Sequence, residues 1–75
     1  MTALPAVTSA ATLRALERAG FFVHHVKGSH HYLKHPERPA LRVTVPFHRR
    51  DLPPGTLRSI IRQAGLTVDE FVAFL

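Results

Sequence analysis

The run Lys27-Gly28-Ser29-His30-His31-Tyr32 brings a cation, a tight turn and an ionisable imidazole together in one short stretch. Gly28 can take the left-handed backbone angles that a sharp reversal between strands demands, and Ser29 is another common turn residue, so the pair predicts a hairpin. His30 then stands at the first position after the turn, beside Lys27. An imidazole there, with an ordinary pKa near ~6.5, exchanges protons at neutral pH. That is the equipment for acid–base chemistry next to an anion; the plain alternative is a surface histidine without a chemical role.

Such a hairpin needs a scaffold, and the length of 75 residues allows one domain, read here as residues 1–75, with a core supplied by a few well-patterned elements. The chain has no cysteine, so there is no disulfide framework and no thiolate zinc site, as fits the cytoplasm. No segment approaches the ~18 apolar residues of a membrane span, and residues 1–8 lack the basic start of a signal peptide. Ten Lys and Arg against five Asp and Glu give a formal charge of +5. That balance favours polyanions, nucleic acid first and acidic protein surfaces second.

Residues 1–8 contain Pro5 and no periodicity, and read as a loose lead-in. Thr8 or Ser9 can cap a helix running to about Ala19, with Leu13 and Leu16 on one face and Gly20 as its stop. Residues 21–27, rich in aromatic and β-branched types, predict a strand, and residues 30–35 a second, ended by Pro36. Leu41, Val43 and Val45 alternate with Arg42 and Thr44, the pattern of a half-buried third strand. Residues 47–55 read as a loop. Leu57, Ile60, Ile61 and Ala64 then form one apolar helical stripe ended by Gly65, and Thr67 with Glu70 has the form of a capping box opening a short last helix. The prediction is an α+β fold: helix, three-stranded antiparallel sheet, helix, short C-terminal helix, with helices covering one face of the sheet and the other left to solvent.

With a two-residue hairpin loop, alternation puts His25 and Lys27 on the same face as His30, Tyr32 and Lys34. Phe22, Val26 and Leu33 turn the other way, toward the helices, with Leu41, Val43 and Val45. The pattern is imperfect, because Val23 falls on the basic face and His24, His31 and His35 on the apolar one. Six histidines invite a metal site. His31 and His35 lie ~13 Å apart along one strand, however, and His30 and His31 point to opposite faces, so neither pair chelates one ion and no metal or other cofactor is expected. His24, His25, His31 and His35 read as surface or edge residues, and Arg49, Arg50, Arg58 and Arg62 as a solvated face.

Three stretches together resemble one family: Gly20-Phe21; Lys27-Gly28-Ser29-His30-His31; and Val45-Pro46-Phe47-His48 followed by residues 54–65, PGTLRSIIRQAG. They are similar to the HicA-type toxins, over nearly the whole chain from about Leu13 to Leu75. The resemblance implies a double-stranded-RNA-binding-domain-like fold, an mRNA interferase activity without metal, and a HicB-type antitoxin that blocks it. It maps the functional histidine of the Gly-Ser-His motif to His30. His48, in the Pro-x-His element, also matches the pattern, as an accessory group or as a loop-fixing hydrogen-bond residue. The chemistry is compatible. Attack of a ribose 2′-OH on the adjacent phosphate needs a base, an acid for the leaving oxygen and cations for the charge on phosphorus. His30 can supply the first or second, and Lys27, with Lys34 or Arg42, the third; Ser29 joins them as an RNA contact. For the other proton transfer, His25, His48, Tyr32 and water are all open. The alternative from another class is a non-catalytic RNA-binding module using the same basic face.

Overall fold

A computed structural model describes residues 3–75. Thr8 opens α1 (Ser9–Arg18), its hydroxyl accepting from the Ala11 amide at 3.1 Å. Ser9, the other capping candidate, is fully buried instead and ties α1 to the end of the sheet: its hydroxyl donates to the Pro46 carbonyl at 2.7 Å and accepts from the His48 amide at 3.2 Å. The helix stops as predicted at Gly20, which sits at φ 102° while the Gly20 and Phe21 amides return to the Glu17 and Leu16 carbonyls. A Cβ on Gly20 would lie 2.5 Å from Nε2 of His35, so both backbone angle and space require glycine.

Three antiparallel strands follow, β1 (Phe22–Lys27), β2 (His30–Lys34) and β3 (Arg42–Pro46), in spatial order β1-β2-β3. Gly28 at φ 58° followed by a serine without positive φ is the pattern of a type II′ hairpin turn. The Phe47 amide donates to the Ser29 carbonyl at 2.6 Å and pins that turn to the end of β3. On the other edge, Gln63 accepts from the Thr44 amide at 2.9 Å and so covers part of the free edge of β3.

The second helical layer is α2 (Pro54–Gln63) and α3 (Val68–Ala73). Proline at the first helical position needs no amide partner, so α2 begins at Pro54, inside the stretch expected to be loop. Gly65, at φ 70°, ends this helix as Gly20 ends α1. The capping box of α3 forms in full, Glu70 amide to Thr67 hydroxyl at 3.1 Å and Thr67 amide to Glu70 carboxylate at 2.8 Å. Leu16, Leu33, Val45, Leu57, Ile60 and Phe71 are the centre of the core, and α1 and α2 pack chiefly on β3. The α+β architecture and element order are those expected. No helix among the described residues is long and apolar enough to cross a membrane.

Two expectations are corrected. The lead-in is not loose in its second half: Val7 is buried, its carbonyl accepts from the Leu52 amide at 2.8 Å, and Thr8 bridges Asp51. Residues 1 and 2 of that segment lie outside the described residues. The face assignment of β1 also changes, because the register with β2 shifts between Val23 and His25. His24 is the extra residue of a β-bulge, and one extra residue exchanges the faces of everything before it. Phe22 therefore lies opposite Lys34 on the basic face and Val23 opposite Leu33 on the apolar one. Val26 does lie on the apolar face, opposite His31, yet it is 53% exposed and does not pack against the helices.

Candidate active site

The outer face of the sheet follows from the register. Paired residues share a face, so across β1, β2 and β3 the first row is Lys27, His30 and Pro46, the second is His25, Tyr32 and Thr44, and the third is Phe22, Lys34 and Arg42. None of the three strands contains an acidic residue. The acids Glu17, Asp69 and Glu70 stand on the helices, Glu37 and Asp51 in loops, so the sheet face carries its cations without strand-borne counter-charges. His30, Lys27, His25 and Arg42 are exposed; Tyr32 and Lys34 are half-buried.

Aromatic contacts link the rows. The His25 ring stacks on Tyr32 with centroids 4.5 Å apart and planes 10° from parallel, and the His30 ring centroid stands 6.4 Å from that of Tyr32, tilted by 33°. The bulge turns His24 back onto His25, edge to face at 5.0 Å, with the two Nδ1 atoms 2.8 Å apart. At that separation one nitrogen donates and the other accepts. The His24 imidazole is held below its ordinary pKa, first by the charge of Lys34, then by slight desolvation, His25 and Arg42. A neutral His24 can accept at Nδ1 from an Nδ1–H of His25. Beside this cluster lies an open depression of about 370 Å³, lined by His24, His25, Tyr32, Lys34, Arg42 and Thr44 among others.

Of the residues singled out from the sequence, Lys27 and His30 are direct cross-strand neighbours, and Lys34 and Arg42 are another such pair two rows away. Ser29 lies in the turn, where its carbonyl is engaged by Phe47. His48 is exposed in the segment after β3, and what fixes that segment is its backbone amide on Ser9 rather than its imidazole. Two histidines read as surface residues are framework. His35 accepts from the Glu37 amide at Nδ1 (3.2 Å) and faces the Ala19 carbonyl with Nε2 (3.3 Å), a set that suits a neutral ring protonated at Nε2, and it meets Phe21 edge to face. His31 stacks under Phe47 at 4.8 Å on the inner face, with Nδ1 buried and without a hydrogen-bond partner among the described residues. Sequence reasoning missed His24 as a member of the outer-face cluster. Alternation alone puts Phe22 and Val26, not Val23, on the apolar face, and only the pairing with β2 shows that Val23 belongs there. Among the described residues, no three His, Asp or Glu side chains converge as metal ligands.

Compared with known proteins, the chain matches a family model described as HicA toxin of bacterial toxin-antitoxin over residues 11–66. No curated protein matches it.

Proposed function

Since the chain belongs to the HicA toxin family and is a toxin of the toxin–antitoxin type, we propose that it acts as a metal-independent endoribonuclease, an mRNA interferase, with His30 as a catalytic residue. The observation that carries this reading is the outer face itself: an exposed imidazole at the end of a hairpin, next to Lys27, on a sheet free of acids. Lys27, Lys34 and Arg42 offer charge to successive phosphates of a single strand, and the Ser29 turn borders the first of them. An imidazole at His30 is suited to take the proton of a ribose 2′-OH as its oxygen attacks phosphorus, with Lys27 beside the charge that develops. DNA, lacking the 2′-OH, is not a substrate for this chemistry. A HicB-type antitoxin, acting in the cytoplasm, inhibits by covering His30 and setting acidic side chains against Lys27.

The test compares wild type with His30→Ala for cleavage of single-stranded RNA in EDTA, thermal midpoint and RNA affinity. Cleavage and growth arrest disappear in His30→Ala while stability changes by under about 1 kcal/mol and binding persists, because the side chain is exposed and one imidazole adds little to phosphate contacts. Wild-type cleavage by His30→Ala contradicts the assignment. Binding without cleavage in the wild-type protein selects the RNA-binding module instead.

A further inference from the structure

Cleavage by 2′-OH attack requires two proton transfers, and a single imidazole at His30 accounts for one. We infer that His25 carries the second, as the acid that protonates the leaving 5′-oxygen, and that His24 is its positioning residue; this rests on the ribonuclease reading of the same face. Position comes first. His25 lies opposite Tyr32, two residues along β2 from His30, so His25 and His30 are diagonal cross-strand neighbours on one face. Such positions lie ~7–8 Å apart, a span that admits one phosphodiester between two ring edges.

Orientation comes second. The His25 ring is held on one side by the parallel Tyr32 face at 4.5 Å and at its Nδ1 by His24 at 2.8 Å. With Nδ1 engaged, Nε2 is the free edge of the ring. An imidazolium at His25 keeps both contacts, since its Nδ1–H still donates to neutral His24 and its ring still lies over an aromatic face that attracts cations. The charge of Lys34, which lowers the His24 pKa, favours the neutral ring, and its tautomer protonated at Nε2 accepts at Nδ1. Tyr32 is the aromatic face on which the His25 ring lies. His48 has its backbone tied to Ser9 of α1, in the helical layer.

The 2′-oxygen bonds to phosphorus as His30 takes its proton, the bond from phosphorus to the 5′-oxygen breaks, and Nε2 of His25 passes a proton to that oxygen. The products are a 2′,3′-cyclic phosphate and a 5′-hydroxyl, with His30 protonated and His25 neutral; exchange with solvent restores both. Lys27 lies in the row of His30, beside this phosphate, and Lys34 with Arg42 lie one row beyond His25, toward the next.

The experiment uses the full chain and two versions of one RNA oligonucleotide, identical except that the second has sulfur in place of the bridging 5′-oxygen at one linkage. A thiolate leaves without a proton. His25→Ala is expected to lose about 100-fold or more on the oxygen substrate, within the range of general acid catalysis, and to cut the sulfur substrate within about tenfold of wild type. His30→Ala stays inactive on both. His24→Ala should shift the alkaline limb of the pH–rate profile, and His24→Gln, whose amide oxygen can still accept from His25, should restore it. Equal losses by His25→Ala on both substrates, or no loss on either, overturn the assignment of His25 and leave that of His30 standing. A wild-type protein that cuts neither substrate overturns the ribonuclease reading as well.

Discussion

β1 and β3 flank the same central strand and have opposite surroundings. Val26 and Val45 occupy one row of the register, both paired with His31 and both on the inner face, yet Val45 is fully buried and Val26 is 53% exposed. The helices pack on β3, and Gln63 covers part of its edge, whereas every residue of β1 is exposed. Residues on β3 are constrained by volume and by hydrogen bonding. Those on β1 are free to be histidines, to bulge, and to carry the outer-face cluster, at little cost to a core that does not rest on them.

The sharpest way to break this contrast is to place the same charge on both strands. Val45→Asp buries a carboxylate without a partner and is expected to cost several kcal/mol, a large part of the ~5–15 kcal/mol that holds a domain of this kind together. Val26→Asp should change stability by no more than about 0.5 kcal/mol. Circular dichroism melts of the two variants decide it, and equal destabilisation would mean that the inner side of β1 is covered after all.

Glycine gives the next largest effect. Gly20→Ala forces a left-handed angle and drives Cβ into the His35 ring, for a loss of about 2 kcal/mol or more. Gly28→Ala, at the turn beside β1, has the same kind of angle with nothing within 4 Å, and should cost about 1 kcal/mol. Chemical denaturation measures the difference, which vanishes if His35 simply rotates away.

A smaller effect separates the sheet face from the helical layer in binding. Lys34→Ala and Arg42→Ala are each expected to weaken single-stranded RNA binding across sequences and to lower the slope of log affinity against log salt by about one, whereas Arg62→Ala on α2 leaves it unchanged. Filter binding at several salt concentrations checks this, and an unchanged slope in both strand variants would remove the sheet face from the interface.

The smallest effect is a pH dependence. The folded-state pKa of His24 lies below its unfolded value near ~6.5, so the unfolded chain binds more protons between those two values, and stability declines as pH falls through that window. Thermal midpoints measured either side of pH 6 should fall slightly more for wild type than for His24→Gln, with the opposite order expected if His24 gained a proton on folding.

How much of this was legible depended on whether a local rule had a local cause. Gly20, Gly65, the Thr67–Glu70 box, the Gly28-Ser29 turn and the alternation of β3 each rest on backbone sterics or hydrogen bonds within a few residues, and each formed as the sequence predicted. His30 at the hairpin end, beside Lys27, followed from the same turn. What the tertiary structure alone decided is the bulge at His24 and its consequences: the exchange of Phe22 and Val23 between faces, and the contact of His24 with His25 over Tyr32. It also decided that Val7 docks, that Ser9 joins α1 to Pro46 and His48, and that His35 packs into the space Gly20 leaves open. A bulge on an edge strand changes a pairing between segments while leaving each segment's own composition intact. Alternation read along one strand therefore cannot register it, and only the partner strand fixes which residue is the extra one.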